Sequence, residues 1–277
     1  MRRGRMTGLR GRRMTEHGLL IDVDDRGVAT LTLNRPDKHN AFDDRLIAAM
    51  TDALVDLGAR PDVRCVLLTG AGRSFSAGAD LGWMKSMAAY SEAENLADAK
   101  ALARLMHTLD TVPKPTIALV NGPAYGGGVG LVAACDIAIA TDQATFSLSE
   151  VRLGLIPAVI SPFVVAAIGA RAARRYFQTA ERFSALEAKS LGLVHEVVGS
   201  VFLSAAGEKI VGTLLDGGPI AQAEAKALIR AVNGQEPCSV LDQTAAWIAR
   251  LRVDQEGQEG LTAFLQKRPP AWRSNQT

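Results

Sequence analysis

NGPAYGGGVGLVAACD (121–136) places four glycines among the five residues from Gly126 to Gly130, directly before an apolar run with helical character. Glycine loses more conformational freedom on folding than any other residue and weakens regular structure. Such a cluster at a helix start implies that something comes close to bare backbone there. The preceding KPTIALVNG (114–122) is a buried strand, so the stretch is a strand–loop–helix unit.

The flanking segments extend this pattern. GVATLTLNRP (27–36) alternates β-branched residues and ends at a proline, which reads as a strand and a turn. DDRLIAAMTDALVDLGAR (43–60) has apolar residues at helical spacing and a stop at Gly58. VRCVLLTGAG (63–72) is a buried strand entering a turn, and SFSAGADLGWM (74–84) is a loop of small residues. SEAENLADAKALARLMHTLDTV (91–112) is an amphipathic helix in which Ser91 and Glu94 form a capping box. After the glycine-led helix, which ends near Ala134, DIAIATDQATFSLSE (136–150) reads as two short strands about a turn. Strands alternating with helices predict an α/β core. From about residue 160 the chain is mostly helical, with clear periodicity over 217–233 and 243–268. The expected organisation is an extension over 1–13, a core over 14–205 and a helical region over 206–277 that packs on the core or on another subunit.

The 277 residues, 48% of them hydrophobic, suffice for a well-buried core. No uncharged apolar run approaches the roughly 18 residues of a membrane span, so none is expected. Cys65, Cys135 and Cys238 are odd in number and far apart, which fits reduced thiols and a cytoplasmic protein. His17, His39, His107 and His195 have no metal-ligand spacing, so no metal site is expected. The net charge of +2 conceals an imbalance: residues 1–13 hold six arginines and no acid, and the remainder has 25 basic residues against 29 acidic ones. A mildly acidic body offers nothing to nucleic acid. The Arg-rich start lacks an apolar face and reads as a disordered or mis-started extension ahead of Met14.

Three readings of the glycines compete. Gly128, Gly130 and Ala133 satisfy G-x-G-x-x-A, and Glu150 lies 20 residues beyond Gly130, as in a dinucleotide site. In that motif, however, the strand runs straight into the first glycine, whereas here Asn121 to Gly127 intervene. The second reading is an oxyanion hole. The N–H groups at a helix N-terminus have no internal partner and carry partial positive charge, and glycine lets a carbonyl approach them. The other small-residue turn after a buried strand, SAGAD (76–80), is the candidate for a second donor. The third reading is tight packing of strand on helix. An oxyanion hole needs a proton-transfer group beside it. Asp136 and Asp142 flank a strand as turn or cap residues, while Glu150 stands among apolar neighbours, where burial would raise its pKa.

NRPDKHNAF, FSAGAD, NGPAYGGGVGL, CD and SEVRLGLIP, in this order, resemble the enoyl-CoA hydratase/isomerase (crotonase) family over about residues 19–272. The resemblance implies a spiral of ββα turns, a C-terminal helical region that builds homotrimers or hexamers, and an acyl-CoA substrate. Coenzyme A is then part of the substrate, and no separate cofactor is expected. The resemblance assigns the oxyanion-hole N–H groups to Ala77 and Gly127 and the acid–base role to Glu150. It places Lys38 and Ala41 along the coenzyme A, and Gly78, Ala79, Asp80 and Leu81 along the acyl-CoA. Phe264 and Lys267 would reach coenzyme A from the C-terminal region, across a subunit boundary.

One departure matters. Two-carboxylate hydratases of the family carry glutamate at the position of Gly130 as well as at that of Glu150. Gly130 is therefore expected to leave space for a substrate carboxylate or a water. The segments 149–165, 171–183 and 257–272 are similar to a bacterial branch acting on methylglutaconyl-CoA in leucine and isovalerate breakdown. A Δ3,Δ2-enoyl-CoA isomerase, which needs one carboxylate, and a non-catalytic acyl-CoA binder are the alternatives. If 149–152 is extended, Arg152 projects to the same side as Glu150, where it could pair with it or bind a substrate carboxylate; otherwise it is a solvated arginine at a turn.

Overall fold

The computed structural model describes Arg13–Met14 and residues 17–276. The expected extension therefore lies outside the described residues, except for Arg13, which pairs with Ile21.

Strands β1 (Arg13–Met14), β2 (Leu19–Val23) and β3 (Val28–Leu33) form an antiparallel edge. Helix α1 (Asp44–Ala59) then crosses to β4 (Cys65–Gly70), which pairs parallel with β3. Helices α2 (Leu81–Met87) and α3 (Glu92–Thr111) lead to β5 (Thr116–Val120), again parallel. The short β6 (Ala124–Tyr125) precedes α4 (Gly127–Ala133), and β7 (Ile137–Thr141) rejoins the main sheet before β8 (Thr145–Ser147) leaves it. Next come α5 (Ser161–Thr179), β9 (Phe183–Ser184), α6 (Ala185–Leu191) and β10 (Glu196–Val198), followed by α7 (Leu203–Asp216), α8 (Pro219–Val232), α9 (Leu241–Val253) and α10 (Gln255–Leu265).

Two layers result. The main sheet has the order β1-β2-β3-β4-β5-β7-β10, and a second sheet has the order β6-β8-β9. Isolated bridges from Phe42 to Ala79 and from Ser76 to Ala124 prolong the second layer towards the N-terminus. Each passage of the chain thus lays one strand in the main sheet, a shorter piece in the second layer and then a helix. This repetition is the expected α/β spiral. The second layer has no sequence signature, because two or three residues cannot show a period of two.

Alternation on the main strands separates two cores. Val66, Leu68, Ala118 and Val120 face the interior shared with α1, α3 and α4, where Phe42, Phe75 and Phe146 are fully buried. Cys65, Leu67, Ile117, Leu119 and Ile139 face α7, through Leu203, Val211 and Leu215. Helix α7 therefore packs on the sheet and crosses the boundary expected near residue 205. The capping box of α3 forms as expected, from Ser91 and Glu94, and the structure adds Asp43 as the cap of α1. Two expectations change. The loop over 74–84 ends at Asp80, whose side chain accepts from the Gly82 and Trp83 N–H groups and starts α2. The single helix over 243–268 breaks at Asp254 (ψ 153°), which caps α10.

Burial pushes the Cys65 and Cys135 thiols up to about 12, and all three cysteines are free. Among the described residues no helix is long and apolar enough to cross a membrane.

Helices α8 and α9 have no fully buried residue, and α10 has only Ala263. Polar contacts hold them in place. Lys226, with its side chain one-tenth exposed, bonds Asp136 at 2.7 Å and the Lys114 carbonyl at 3.3 Å. Asp136 in turn accepts the Thr116 N–H and hydroxyl, both at 2.8 Å. Lys226→Met strands these acceptors. It is expected to cost about 1–3 kcal/mol, read as a lower urea midpoint.

Candidate active site

Gly126 turns the chain from β6 into α4 with φ +49°, in the left-handed region that favours glycine. Its N–H donates to the Ser147 carbonyl at 2.9 Å, tying the turn to β8. The next residue, Gly127, opens the helix, so its N–H has no preceding helical carbonyl to bond. A Cβ at Gly127 would collide with Cζ of the buried Phe42 ring. These two glycines are required by a tight turn and a close approach, and together they present a bare helix N-terminus. The dinucleotide reading fails here: after β5 the chain crosses to the second layer at β6, so no main-sheet strand enters the glycine turn directly.

The second donor is not Ala77. Its N–H donates to the His39 carbonyl at 2.9 Å and is unavailable to a ligand. The Gly78 N–H is likewise taken, by the Ser76 hydroxyl at 3.2 Å. The Gly78 carbonyl accepts from Phe42 N–H at 2.8 Å. In a trans peptide the N–H points opposite to the carbonyl, so the Ala79 N–H on that peptide is directed away from Phe42. No backbone carbonyl among the described residues accepts it. Gly78 itself (φ +86°) lies against α4, its Cβ position 3.5 Å from the Gly127 nitrogen. The N–H groups of Ala79 and Gly127, on these neighbouring segments, are thus both unpaired, as is that of Gly128 behind them. Sequence position alone did not separate Ala77 from Ala79, because the distinguishing partner is the carbonyl of His39.

Glu150 follows β8 as the first residue of a 3-10 turn, Glu150–Leu153. It is half-buried rather than a surface carboxylate on an edge strand. Its Oε1 stands 3.2 Å from the Cβ position of Gly126, and its Oε2 is buried without a hydrogen-bond partner. Burial raises the pKa above the ordinary 4.5, opposed by a hydrogen bond from its own backbone N–H. A carboxyl in this state is poised to exchange protons next to the helix N-terminus.

Gly130 does not leave an opening. It is buried, and a Cβ there would collide with Ile160 Cγ2 and lie 3.3 Å from Met106 Cε. Ile160 comes from the turn before α5 and is itself buried. The space expected for a substrate carboxylate or a water is therefore aliphatic side chain.

A parallel spiral in two layers, a glycine-led helix N-terminus and one half-buried carboxyl beside it now stand together. The family model described as enoyl-CoA hydratase/isomerase matches residues 24–275. The chain belongs to the enoyl-CoA hydratase/isomerase family. It is similar to the crotonyl-CoA hydratase of Syntrophomonas wolfei, 32% identical over 257 residues that cover 92% of this chain and 97% of that one. An enoyl-CoA hydratase structure from Shewanella pealeana matches with a TM-score of 0.90 and 48% identity, over 92% of this chain and 96% of that chain. An enoyl-CoA hydratase structure from Mycobacterium smegmatis matches at 0.87 and 35%, over 94% and 100%. The crotonase fold accounts for the spiral.

The remaining residues singled out from the family resemblance fall into two groups. Lys38, Ala41, Asp80 and Leu81 lie around the start of α2. Arg35 bonds Asp80 and Asp43, each at 3.0 Å, and Lys38 bonds Asp80 at 2.9 Å. The Lys38 ammonium holds the Asp80 carboxyl below its usual range, aided by the Trp83 and Gly82 N–H groups against burial. Ala41 is buried and its carbonyl accepts from Arg35, whereas the Lys38 side chain is half exposed and Leu81 is exposed. Phe264 and Lys267 form the second group, exposed at the end of α10, which packs on α8 and α9. Neither makes a side-chain hydrogen bond to the first group among the described residues. Arg152 stands in a 3-10 turn rather than on an extended strand, so it is the exposed arginine at a turn of the second alternative, with its guanidinium donating to the Ala180 carbonyl at 2.9 Å.

Proposed function

We propose that this enzyme adds water to the double bond of a branched glutaconyl-CoA thioester, 3-methylglutaconyl-CoA or a near relative, with Glu150 as its acid–base group. The observation carrying the chemistry is the half-buried Glu150 carboxyl, whose Oε2 is buried without a hydrogen-bond partner, together with the open N–H groups of Ala79 and Gly127. The thioester carbonyl accepts from those two N–H groups. Ionised Glu150 takes a proton from water as its oxygen bonds Cβ, and the resulting enolate is held by the two donors. Glu150 then returns the proton to Cα, so the product gains one water and the carboxylate is regenerated. Fixed dipoles aimed at the developing oxyanion supply much of the rate enhancement in such sites.

The branched glutaconyl substrate is supported by the likeness of 149–165, 171–183 and 257–272 to that branch of the family. With the space beside Gly130 closed, the substrate carboxylate must be held elsewhere. Residues 81–90 include Lys85, exposed in the last turn of α2 with no ion-pair partner among the described residues. Coenzyme A lies along Lys38 and the start of α2, and Phe264 and Lys267 reach it from a neighbouring copy in a trimer or hexamer. The exposed apolar side chains of Ile229, Leu241, Ile248 and Leu261 support such an assembly.

The test is a panel of branched and straight enoyl-CoA thioesters, followed by the loss of enoyl absorbance and by product mass in oxygen-labelled water. An inert enzyme across the panel overturns the reading. The Ile160 side chain at Gly130 favours a second reading, Δ3,Δ2 isomerisation, since one carboxyl suffices to move a proton between Cα and Cγ. An isomerised product carries no solvent oxygen, whereas a hydrated one does.

The pH profile follows from the burial of Glu150. The group must be ionised to accept the first proton, and burial makes protonation begin at a higher pH than for an ordinary carboxyl. The acid limb of kcat/KM is therefore expected to fall at a pH above 4.5. A limb at or below that value would show that an ordinary, solvated carboxyl controls the rate.

A further inference from the structure

The turn that carries Glu150 has little apolar packing. Leu153, Leu155 and Ile156 are 58%, 57% and 71% exposed, and a Cβ at Gly154 would meet open space. Its internal hydrogen bonds are local: Arg152 N–H to Ser149, Gly154 N–H to Val151 and Leu155 N–H to Glu150, at 3.1, 3.2 and 3.1 Å. Segments with few buried contacts open readily. Something else must hold Glu150 against Gly126.

One buried carbonyl does so from both sides. Ala180 ends α5 in a left-handed conformation (φ +51°) and is fully buried. Its carbonyl accepts from the Ser147 hydroxyl at 3.1 Å and from Arg152 Nη2 at 2.9 Å. A carbonyl has two lone pairs, so both sites are used. Ser147 lies three residues before Glu150 and Arg152 two residues after it. The Ser147 carbonyl also accepts the Gly126 N–H at 2.9 Å. The catalytic turn and the glycine turn are thereby referred to the same anchor.

We propose that Arg152 is a positioning residue: through the Ala180 carbonyl, shared with Ser147, it fixes the turn that sets the Glu150 carboxyl beside the α4 N-terminus. This rests on the acid–base role of Glu150. Arg152 touches no reacting atom in this scheme and contributes by geometry, where a displacement of about 1 Å can cost a hundredfold in rate.

The experiment compares Arg152→Met, Arg152→Lys and Ser147→Ala, with Glu150→Gln in parallel, each at a temperature where circular dichroism shows native structure. The substrates are one enoyl-CoA bearing a terminal carboxylate and one lacking it. Arg152→Met is expected to lower kcat for both by about tenfold or more while KM changes less than about threefold, because coenzyme A contacts are untouched. Arg152→Lys keeps a donor and is expected to recover most of kcat. Ser147→Ala removes the other donor and should lower kcat in the same sense, which keeps the test available if Arg152→Met does not fold. Unchanged kcat in Arg152→Met, or in Ser147→Ala if only that variant folds, overturns the proposal when Glu150→Gln is inactive. A KM rise confined to the carboxylate-bearing substrate also overturns it, making Arg152 a substrate contact. Retained activity in Glu150→Gln instead removes the acid–base reading beneath it.

Discussion

Glu150→Gln is expected to lower turnover by about a hundred to ten thousandfold while leaving coenzyme A ester binding within a few-fold. Glutamine preserves the size of the side chain and its hydrogen-bonding capacity but cannot exchange a proton. The half-buried position beside Gly126 accepts it without repacking, and no ion pair is broken, since Oε2 has no partner. Binding should survive because the donors to the thioester are backbone N–H groups of Ala79 and Gly127. The measurement is single-turnover kinetics alongside calorimetric titration with a non-reactive acyl-CoA. Activity within a few-fold of the parent would exclude Glu150 as the proton carrier. Loss of binding together with turnover would instead give the carboxyl a structural role.

Gly130→Glu is expected to be among the most destabilising substitutions in the core. Its Cβ would collide with Ile160, and the added side chain would be confined among Ile160, Met106 and the buried face of α4. Overpacking of this kind costs about 1–3 kcal/mol, and burying a carboxylate without a partner adds to it. Ile160→Ala alone is expected to lose about 2–5 kcal/mol through the cavity it leaves. The two changes should offset each other in the double variant, because the new side chain occupies the volume that the isoleucine vacates. Urea denaturation of the four proteins gives the coupling directly. Additive losses would mean that Ile160 does not limit what position 130 can hold. A favourable coupling would identify Ile160 as the residue that confines this site to one carboxyl, and the double variant could then be assayed for faster hydration of straight-chain substrates.

Local chemistry made much of the fold legible from the amino-acid sequence. The capping box at Ser91 and Glu94 and the β-branched alternation of β3 act between residues close in the chain. The same holds for the glycine-led N-terminus of α4, and the apolar neighbours of Glu150 correctly pointed to its burial. The spiral came from family resemblance, since β6, β8 and β9 are too short to carry a period. What remained was settled by contacts between distant segments. The His39 carbonyl removes Ala77 as a donor and leaves Ala79, and Ile160 fills the space above Gly130. The Ala180 carbonyl captures Arg152, an exposed arginine at a turn, and only the tertiary structure supplies that partner. In each case a side-chain pattern can mark a residue as buried or capped, but which backbone group stays unpaired depends on which carbonyl or methyl group the fold brings against it.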